Sequence, residues 1–145
     1  MLTARAGESM VSEGAFLHIV TRVTDEGLIV ELFDRENAHL FVGETSQPSP
    51  LLTEILQMMA GVFALVPNEI AVQGHTRSVP VVVQDNPTWA QSVARADRVR
   101  SLLETNGLES QRLQRITGFA DRDLVDKNPT SVRNNRIEVI LLRNN

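Results

Sequence analysis

The sequence predicts an α+β fold, a two-layer sandwich in which two main helices pack on one face of a mixed β-sheet. Short β-branched and apolar segments alternate with two longer segments whose apolar residues recur every three or four positions, which gives the order ββαβαββ. The helical connections are long enough to join parallel strands, so we expect the sheet to contain both parallel and antiparallel pairs.

Five segments have the composition of strands. The first two are separated by Asp25-Glu26-Gly27, and an apolar pair joined by such a short polar turn is typical of a β-hairpin. The third ends in Gly74-His75-Thr76, and the fifth follows a polar loop. The predicted strands are 16–23, 28–33, 69–75, 113–119 and 136–142.

Two segments have helical periodicity. The first, 51–66, follows Pro48-Ser49-Pro50 and ends before Pro67, because proline cannot continue a helix. The second, 89–104, ends before Asn106-Gly107, a favourable helix stop. We expect its apolar stripe to face the sheet and a polar face to lie opposite. The stripe is Trp89, Val93, Ala96, Val99 and Leu103, and the polar face is Gln91, Arg95, Arg98 and Glu104.

Length and composition limit the domain organisation and the function. A chain of 145 residues is expected to form one domain, and we interpret 1–26 as a lead-in or linker with a first strand and 27–145 as the domain proper. The formal net charge of −4 disfavours general nucleic-acid binding. Without cysteine the chain has no disulfide and no thiolate nucleophile. The apolar run 58–66 is too short to span a membrane.

The patterns of catalytic and metal-binding residues are weak. The three histidines lie in different predicted elements, and no nucleophile elbow is present, so we expect no catalytic residues, no metal and no cofactor. Asp121, Asp123 and Asp126 lack the glycine and the terminal glutamate of a calcium loop and are better explained as a solvated turn. A hydrolase or metal enzyme that uses His75 with Asp121 or Asp123 is the distant alternative.

The most informative constellation pairs the end of the third strand with the second helix. Ser92 and Arg95 lie three positions apart and share a helix face close to Gly74-His75-Thr76. A guanidinium there can bind a carboxylate through two parallel hydrogen bonds, and the Thr76 hydroxyl can hold a polar ligand group. Spacing alone favours a solvated surface arginine, because such residues are common on helices.

These residues resemble the motifs of the OmpA-like peptidoglycan-binding domain. The hallmarks of that family are a strand ending in Gly-His-Thr-Asp, a helix with Leu-Ser-x-x-Arg-Ala, and Asn-Arg-Arg-x-Glu at the start of the last strand. The similar segments here are 70–77, 89–96 and 134–138, in the same order. The resemblance covers about residues 27–143 and implies a noncatalytic domain that binds the cell wall.

The resemblance also implies a binding site for the diaminopimelate of the peptidoglycan stem peptide. In the family the arginine binds a carboxylate of this group, and the aspartate of Gly-His-Thr-Asp binds its ammonium. Arg95 matches the first, but Arg77 stands where the aspartate is expected, and Asn135 replaces an arginine. Either Asp85 supplies the missing carboxylate, or Arg77 and Arg95 together favour a doubly anionic group, or wall binding is lost. The predicted peptidoglycan-binding residues are Thr76, Arg77, Ser92, Arg95, Asn134 and Arg136.

Within this family the sequence is similar to the MotB family of flagellar stator subunits. The similar segments are 27–34 with Phe41, 65–70 and 117–121. The resemblance implies a periplasmic domain of an inner-membrane protein that forms a homodimer and meets a MotA-like subunit through a membrane segment outside this chain. The alternatives are a general OmpA-like anchor of an outer-membrane protein or lipoprotein, and a divergent stator paralogue that has lost wall binding and binds a motor protein.

Overall fold

A computed structural model describes residues 14–79 and 87–144 of the chain. Its strands form one mixed sheet in the order β1-β2-β5-β3-β4. β3 and β4 are parallel, and the remaining neighbours are antiparallel. This confirms the predicted α+β class and the order of elements. The strands are β1 (Ile19–Thr24), β2 (Gly27–Phe33), β3 (Ile70–His75), β4 (Leu113–Gly118) and β5 (Arg136–Leu142).

Two long helices, α1 (Pro50–Phe63) and α2 (Thr88–Thr105), cover one face of the sheet. Ser49 caps α1, because its Oγ accepts a hydrogen bond from the backbone N–H of Leu52 at 3.2 Å. The helix ends at Phe63, three residues earlier than predicted, because the N–H groups of Leu65 and Val66 donate to carbonyls only three residues back, at 3.1 and 3.3 Å. Short 3₁₀ turns, Ser110–Arg112 and Val132–Asn134, precede β4 and β5.

The N-terminal part of the described chain differs from the prediction. β1 starts at Ile19 and not at residue 16, because the preceding residues form a turn in which the His18 N–H donates to the Ala15 carbonyl at 2.9 Å. β1 pairs with β2 along its whole length, from Ile19 opposite Leu32 to Thr24 opposite Gly27. The sheet therefore begins before residue 27.

The core lies between the sheet and the two helices. Alternate residues of β2, β3 and β5 point toward α1 and α2, as expected for strands with one face covered. Each large apolar side chain that is fully buried stabilises the fold by roughly 1.5–3 kcal/mol. Fully buried members include Leu32, Leu52, Ile55, Leu56, Val72, Val99, Leu103, Ile137 and Val139.

The buried face of α2 differs from the prediction in the first half of the helix, whereas Ala96, Val99 and Leu103 in the second half are buried as predicted. Trp89 and Val93, expected in the core, are 54% and 42% exposed, whereas Ser92 and Arg95 are buried. The cause is a close approach of the helix to the sheet at Gly74. A Cβ on Gly74 would lie 2.1 Å from the carbonyl oxygen of Ser92, so the glycine leaves room for helix backbone, and the small Ser92 side chain lies against the sheet.

Part of the expected loop between β3 and α2 falls outside the described residues. This applies to Asp85 and to most of the extended run predicted at 79–83. Among the described residues, no helix combines the length and the hydrophobicity that crossing a bilayer requires.

Candidate functional site

A cleft of about 800 Å³ opens beside the C-terminal end of β3 and the first half of α2. The carboxyl ends of β3 and β4 meet at this edge of the sheet because the two strands are parallel. Helix α2 supplies apolar walls and a polar rim. The described lining residues are Glu44, Ser46, Arg77, Ser78, Val79, Pro87, Ala90, Gln91, Ala94 and Thr130.

Arg95 is buried next to this cleft, where it contacts the residues on either side of the lining residue Glu44. It is 5% exposed, so it is not the solvated surface arginine that spacing alone favoured. Its Nε donates to the Thr45 carbonyl at 2.9 Å, and an Nη donates to the Gly43 carbonyl at 3.1 Å. The guanidinium carbon also lies 4.7 Å from the centroid of the Phe41 ring, within cation–π range.

The charge of Arg95 is balanced by its surroundings. Burial lowers the pKa of this guanidinium from its usual value, the negative charges of Asp34 and Glu44 act in the opposite direction, and the positive charge of Arg77 lowers it further. An arginine begins from so high a pKa that it stays protonated. The site therefore holds a permanent cation that is already largely removed from water.

A short backbone segment, the strap (residues 43–45), lies across α2 at Arg95. Gly43 has a φ of 56°, a left-handed conformation that glycine adopts readily. The carbonyls of Gly43 and Thr45 accept from Arg95, and that of Glu44 accepts from Gln91 Nε2 at 2.6 Å. Three successive carbonyl oxygens of the strap are thus fixed on the helix.

Arg77 lies at the end of β3 and reaches the same cleft. Its side chain is 38% exposed, and one Nη lies 3.7 Å from Oε1 of Glu44. Its backbone N–H donates to Oδ1 of Asn135 at 2.8 Å, which holds this segment against the start of β5. The structure thus brings Arg77 and Arg95 to one site and places a carboxylate beside Arg77.

Thr76 and Ser92 connect β3 and α2 with the residues that follow β4, beside the site. Ser92 Oγ accepts from the Ala120 N–H at 3.0 Å and donates to the Trp89 carbonyl at 2.9 Å, which connects α2 with the end of β4. The Thr76 N–H donates to the Ala120 carbonyl at 2.8 Å. The Thr76 hydroxyl is buried and has no hydrogen-bond partner among the described residues.

Asn134 and Arg136 lie in other surroundings. Asn134 is fully buried, and its Oδ1 accepts from the N–H groups of Val125 and Asp126 at 2.8 and 2.9 Å, so it organises the loop before β5. Arg136 pairs with His75 across β3 and β5, on the sheet face opposite α2. Its Nε donates to Glu138 at 3.2 Å. The structure does not bring the Arg136 side chain to the cleft.

His75 is buried in this second polar cluster. Its ring stacks on Phe119 with centroids 4.9 Å apart, and neither ring nitrogen has a hydrogen-bond partner among the described residues. Burial, reinforced by the charge of Arg136, lowers the pKa of His75 to about 4. Within residues 14–79 and 87–144 no group of three or more histidine, aspartate or glutamate side chains could hold a metal ion.

Sequence reasoning missed three residues that shape the site. Glu44 and Gln91 meet at the strap, and Asn135 joins the Arg77 backbone to Asp34 through an Nδ2–Oδ2 contact of 3.1 Å. The motif marks Asn135 as the replacement of an arginine but predicts no contact for it. Nothing in the sequence marks Glu44 as a site residue, because it lies outside every motif.

The fold is a mixed sheet with helices on one face. It carries the Gly-His-Thr strand end, a buried helix arginine and an asparagine pair before β5. Together these features define an OmpA-type domain. The sequence model of the OmpA family matches residues 33–138, and the chain belongs to that family. Among curated relatives, Motility protein B of Escherichia coli (strain K12) is 30% identical over 128 residues, which are 86% of this chain and 42% of that protein. The chain thus spans about two fifths of that relative and is a MotB-like OmpA domain.

Solved structures support the same fold. The periplasmic domain of Helicobacter pylori MotB matches with a TM-score of 0.74 at 20% identity, over 88% of this chain and 83% of that one. The cell wall anchor of the T6SS from Pseudomonas aeruginosa matches with a TM-score of 0.75 at 21% identity, over 93% of this chain and 94% of that one. At these identities the likeness establishes the architecture.

Proposed function

We propose that this domain is a noncatalytic periplasmic anchor of a MotB-like flagellar stator subunit and that it binds peptidoglycan. The observation that carries the proposal is the buried Arg95 guanidinium, held beside an open cleft in an OmpA-family domain. A cation fixed in this way is suited to a carboxylate, because much of its dehydration has occurred during folding and the bond formed is charge-assisted.

The proposed ligand is the diaminopimelate of the stem peptide. Arg95 donates to the strap with Nε and one Nη, and the guanidinium has further N–H donors that a ligand carboxylate can accept. The unpartnered Thr76 hydroxyl is a second candidate contact. Ser92 and Asn134 act as positioning residues, and Arg136 contributes from the far face by holding the start of β5.

The proposal extends to the assembly in which the domain works. We infer a homodimer, connected to a MotA-like subunit through a membrane segment outside this chain, as in the stator family that the sequence resembles. A general OmpA-like wall anchor of an outer-membrane protein or lipoprotein has the same site, so wall binding alone does not separate these two functions.

Sedimentation with isolated sacculi of the diaminopimelate type tests the proposal. The parent domain is expected to sediment with the sacculi, and Arg95→Ala and Arg95→Lys are expected to lose most of this binding. Lysine keeps the charge but cannot form the two parallel hydrogen bonds. Arg98→Ala is the matched control, because Arg98 lies on the same helix and is exposed. Circular dichroism verifies that each variant is folded.

A second candidate function has its own supporting observation. Arg77 occupies the motif position of an aspartate, and its charge disfavours the Arg95 cation. A stator paralogue that has given up the wall and binds a motor protein would fit this reversal. In that case the parent would not sediment with sacculi, and Arg77→Asp would gain binding.

A further inference from the structure

We propose that Glu44, on the strap, supplies the carboxylate that binds the ammonium group of the ligand, in the role of the acidic residue that Arg77 has displaced. This inference rests on the proposed peptidoglycan function and names the residue that recognises the ammonium end of the ligand. Glu44 lies in a different segment from the strand-end motif and lines the same cleft as Arg77.

The backbone of Glu44 is fixed in place. Its own carbonyl accepts from Gln91 Nε2 at 2.6 Å, and Arg95 donates to the carbonyls on either side of it at 3.1 and 2.9 Å. The residue that binds the ligand carboxylate thus also holds the residue proposed to bind the ammonium. This coupling sets the spacing between the two charges of the site.

The carboxylate of Glu44 is available to a ligand. Its side chain is 74% exposed. Its oxygens lie 3.4 Å from Gln91 Nε2 and 3.7 Å from an Nη of Arg77, whereas a strong charge-assisted hydrogen bond measures about 2.7–2.9 Å. Both contacts are long, so the carboxylate keeps lone pairs that an ammonium group can use.

The charge balance of the cleft favours a ligand with both signs of charge. The positive charge of Arg77 disfavours the Arg95 cation, and the Glu44 carboxylate lies close enough to oppose this effect. Asp34 also opposes it, and a ligand carboxylate would add a further negative charge beside the two cations. A ligand ammonium group would then contact the Glu44 carboxylate. Without this carboxylate, the guanidinium groups of Arg77 and Arg95 would repel it.

Calorimetric titration with two soluble muropeptides tests this assignment. One probe ends in diaminopimelate with a free amine, and in the other the same amine is acetylated. We expect the parent to bind the free amine about tenfold more tightly, since a charge-assisted contact is lost on acetylation. Glu44→Gln should reduce this preference to less than about twofold while its affinity for the acetylated probe stays near that of the parent.

Two further variants complete the test. Glu109→Gln removes an exposed carboxylate beyond the far end of α2 and should retain the full preference. Adding Arg77→Asp to Glu44→Gln returns a carboxylate to the strand end and should restore it. If Glu44→Gln keeps the preference of the parent, this inference is overturned and wall binding stands. If the parent binds neither the probes nor sacculi, both proposals are overturned.

Discussion

Arg95 shows how a single buried cation organises this domain. Its guanidinium is dehydrated by the fold, stacked on Phe41 and hydrogen-bonded to strap carbonyls. Backbone carbonyls carry partial negative charge and satisfy the N–H groups without cancelling the full positive charge. Under the proposed function, a ligand carboxylate would accept from the N–H donors of Arg95 that the strap leaves free.

His75 is the other buried ionisable residue with a large consequence. It is 2% exposed, and its neighbours on the far sheet face are both positive and negative. Burial and Arg136 lower its pKa, whereas Asp123 and Glu31 act in the opposite direction and Arg22 adds to the lowering. Glu138 lies 3.9 Å from Nε2. The folded protein thus keeps the ring neutral at neutral pH.

We predict that the domain loses stability as the pH falls from about 6.5 to about 4. In this window the unfolded chain binds a proton at His75 that the folded protein does not, because the folded pKa is about 4 against a usual 6.5. The free energy of unfolding should fall by up to about 3 kcal/mol over this range. Urea denaturation at several pH values measures it. A His75→Leu variant with the same pH slope as the parent would contradict this origin.

At the residue scale, sequence reasoning found the motif side chains but not their partners. Arg95 and Ser92 could be selected because they stand at spaced motif positions on one helix. The environment of Arg136 could not, since strand pairing decides which face a residue occupies and register depends on distant segments. The role of Glu44 could not be predicted for the same reason, because folding brings it to Arg77 from a distant segment.

The contact between α2 and the sheet is the main feature at the scale of elements. Gly74 and Gly118 leave space for the helix at Ser92, where a Cβ on Gly118 would lie 2.6 Å from Ser92 Oγ. The first half of the helix therefore turns Ser92 toward the sheet and leaves Trp89 and Val93 exposed. A hydrophobic stripe alone could not predict this rotation, because apolar periodicity ignores close backbone approach. The order and approximate extents of the elements were predictable from local patterns.

We predict that Gly74→Ala destabilises the domain by about 1–3 kcal/mol, the usual cost of overpacking a core. The added methyl group would meet the backbone carbonyl of Ser92, which cannot move aside without displacing α2. The matched control is Gly61→Ala in α1, where nothing lies within 4 Å and alanine is the better helix former. Chemical denaturation should show the control to be neutral or stabilised. Equal losses in both variants would argue against close packing at Gly74.

At the scale of the whole molecule, the two edges of the sheet differ. On the edge strand β1, Val20 and Val23 are 43% and 82% exposed. On the opposite edge, β4 presents the polar side chains of Gln114 and Arg115. An edge with exposed apolar residues and unpaired backbone groups is a favourable place for a second chain to add.

We predict that the proposed homodimer forms along β1. Val23→Lys should shift the domain toward monomer in sedimentation velocity, because a charged side chain on an edge strand opposes pairing. Gln114→Lys on β4 is the matched control and should leave the oligomeric state unchanged. Dissociation caused by the control and not by Val23→Lys would place the interface at the other edge.

The contacts that build the cleft join distant parts of the chain. Arg95 reaches back 52 residues to Gly43, and the Arg77 backbone reaches forward 58 residues to Asn135. Contacts this remote require long loops to close before they give any stabilisation. A partly folded chain therefore presents no assembled pocket. Under the proposed function, the wall would bind only the folded domain, and a bound stem peptide would in turn raise its free energy of unfolding.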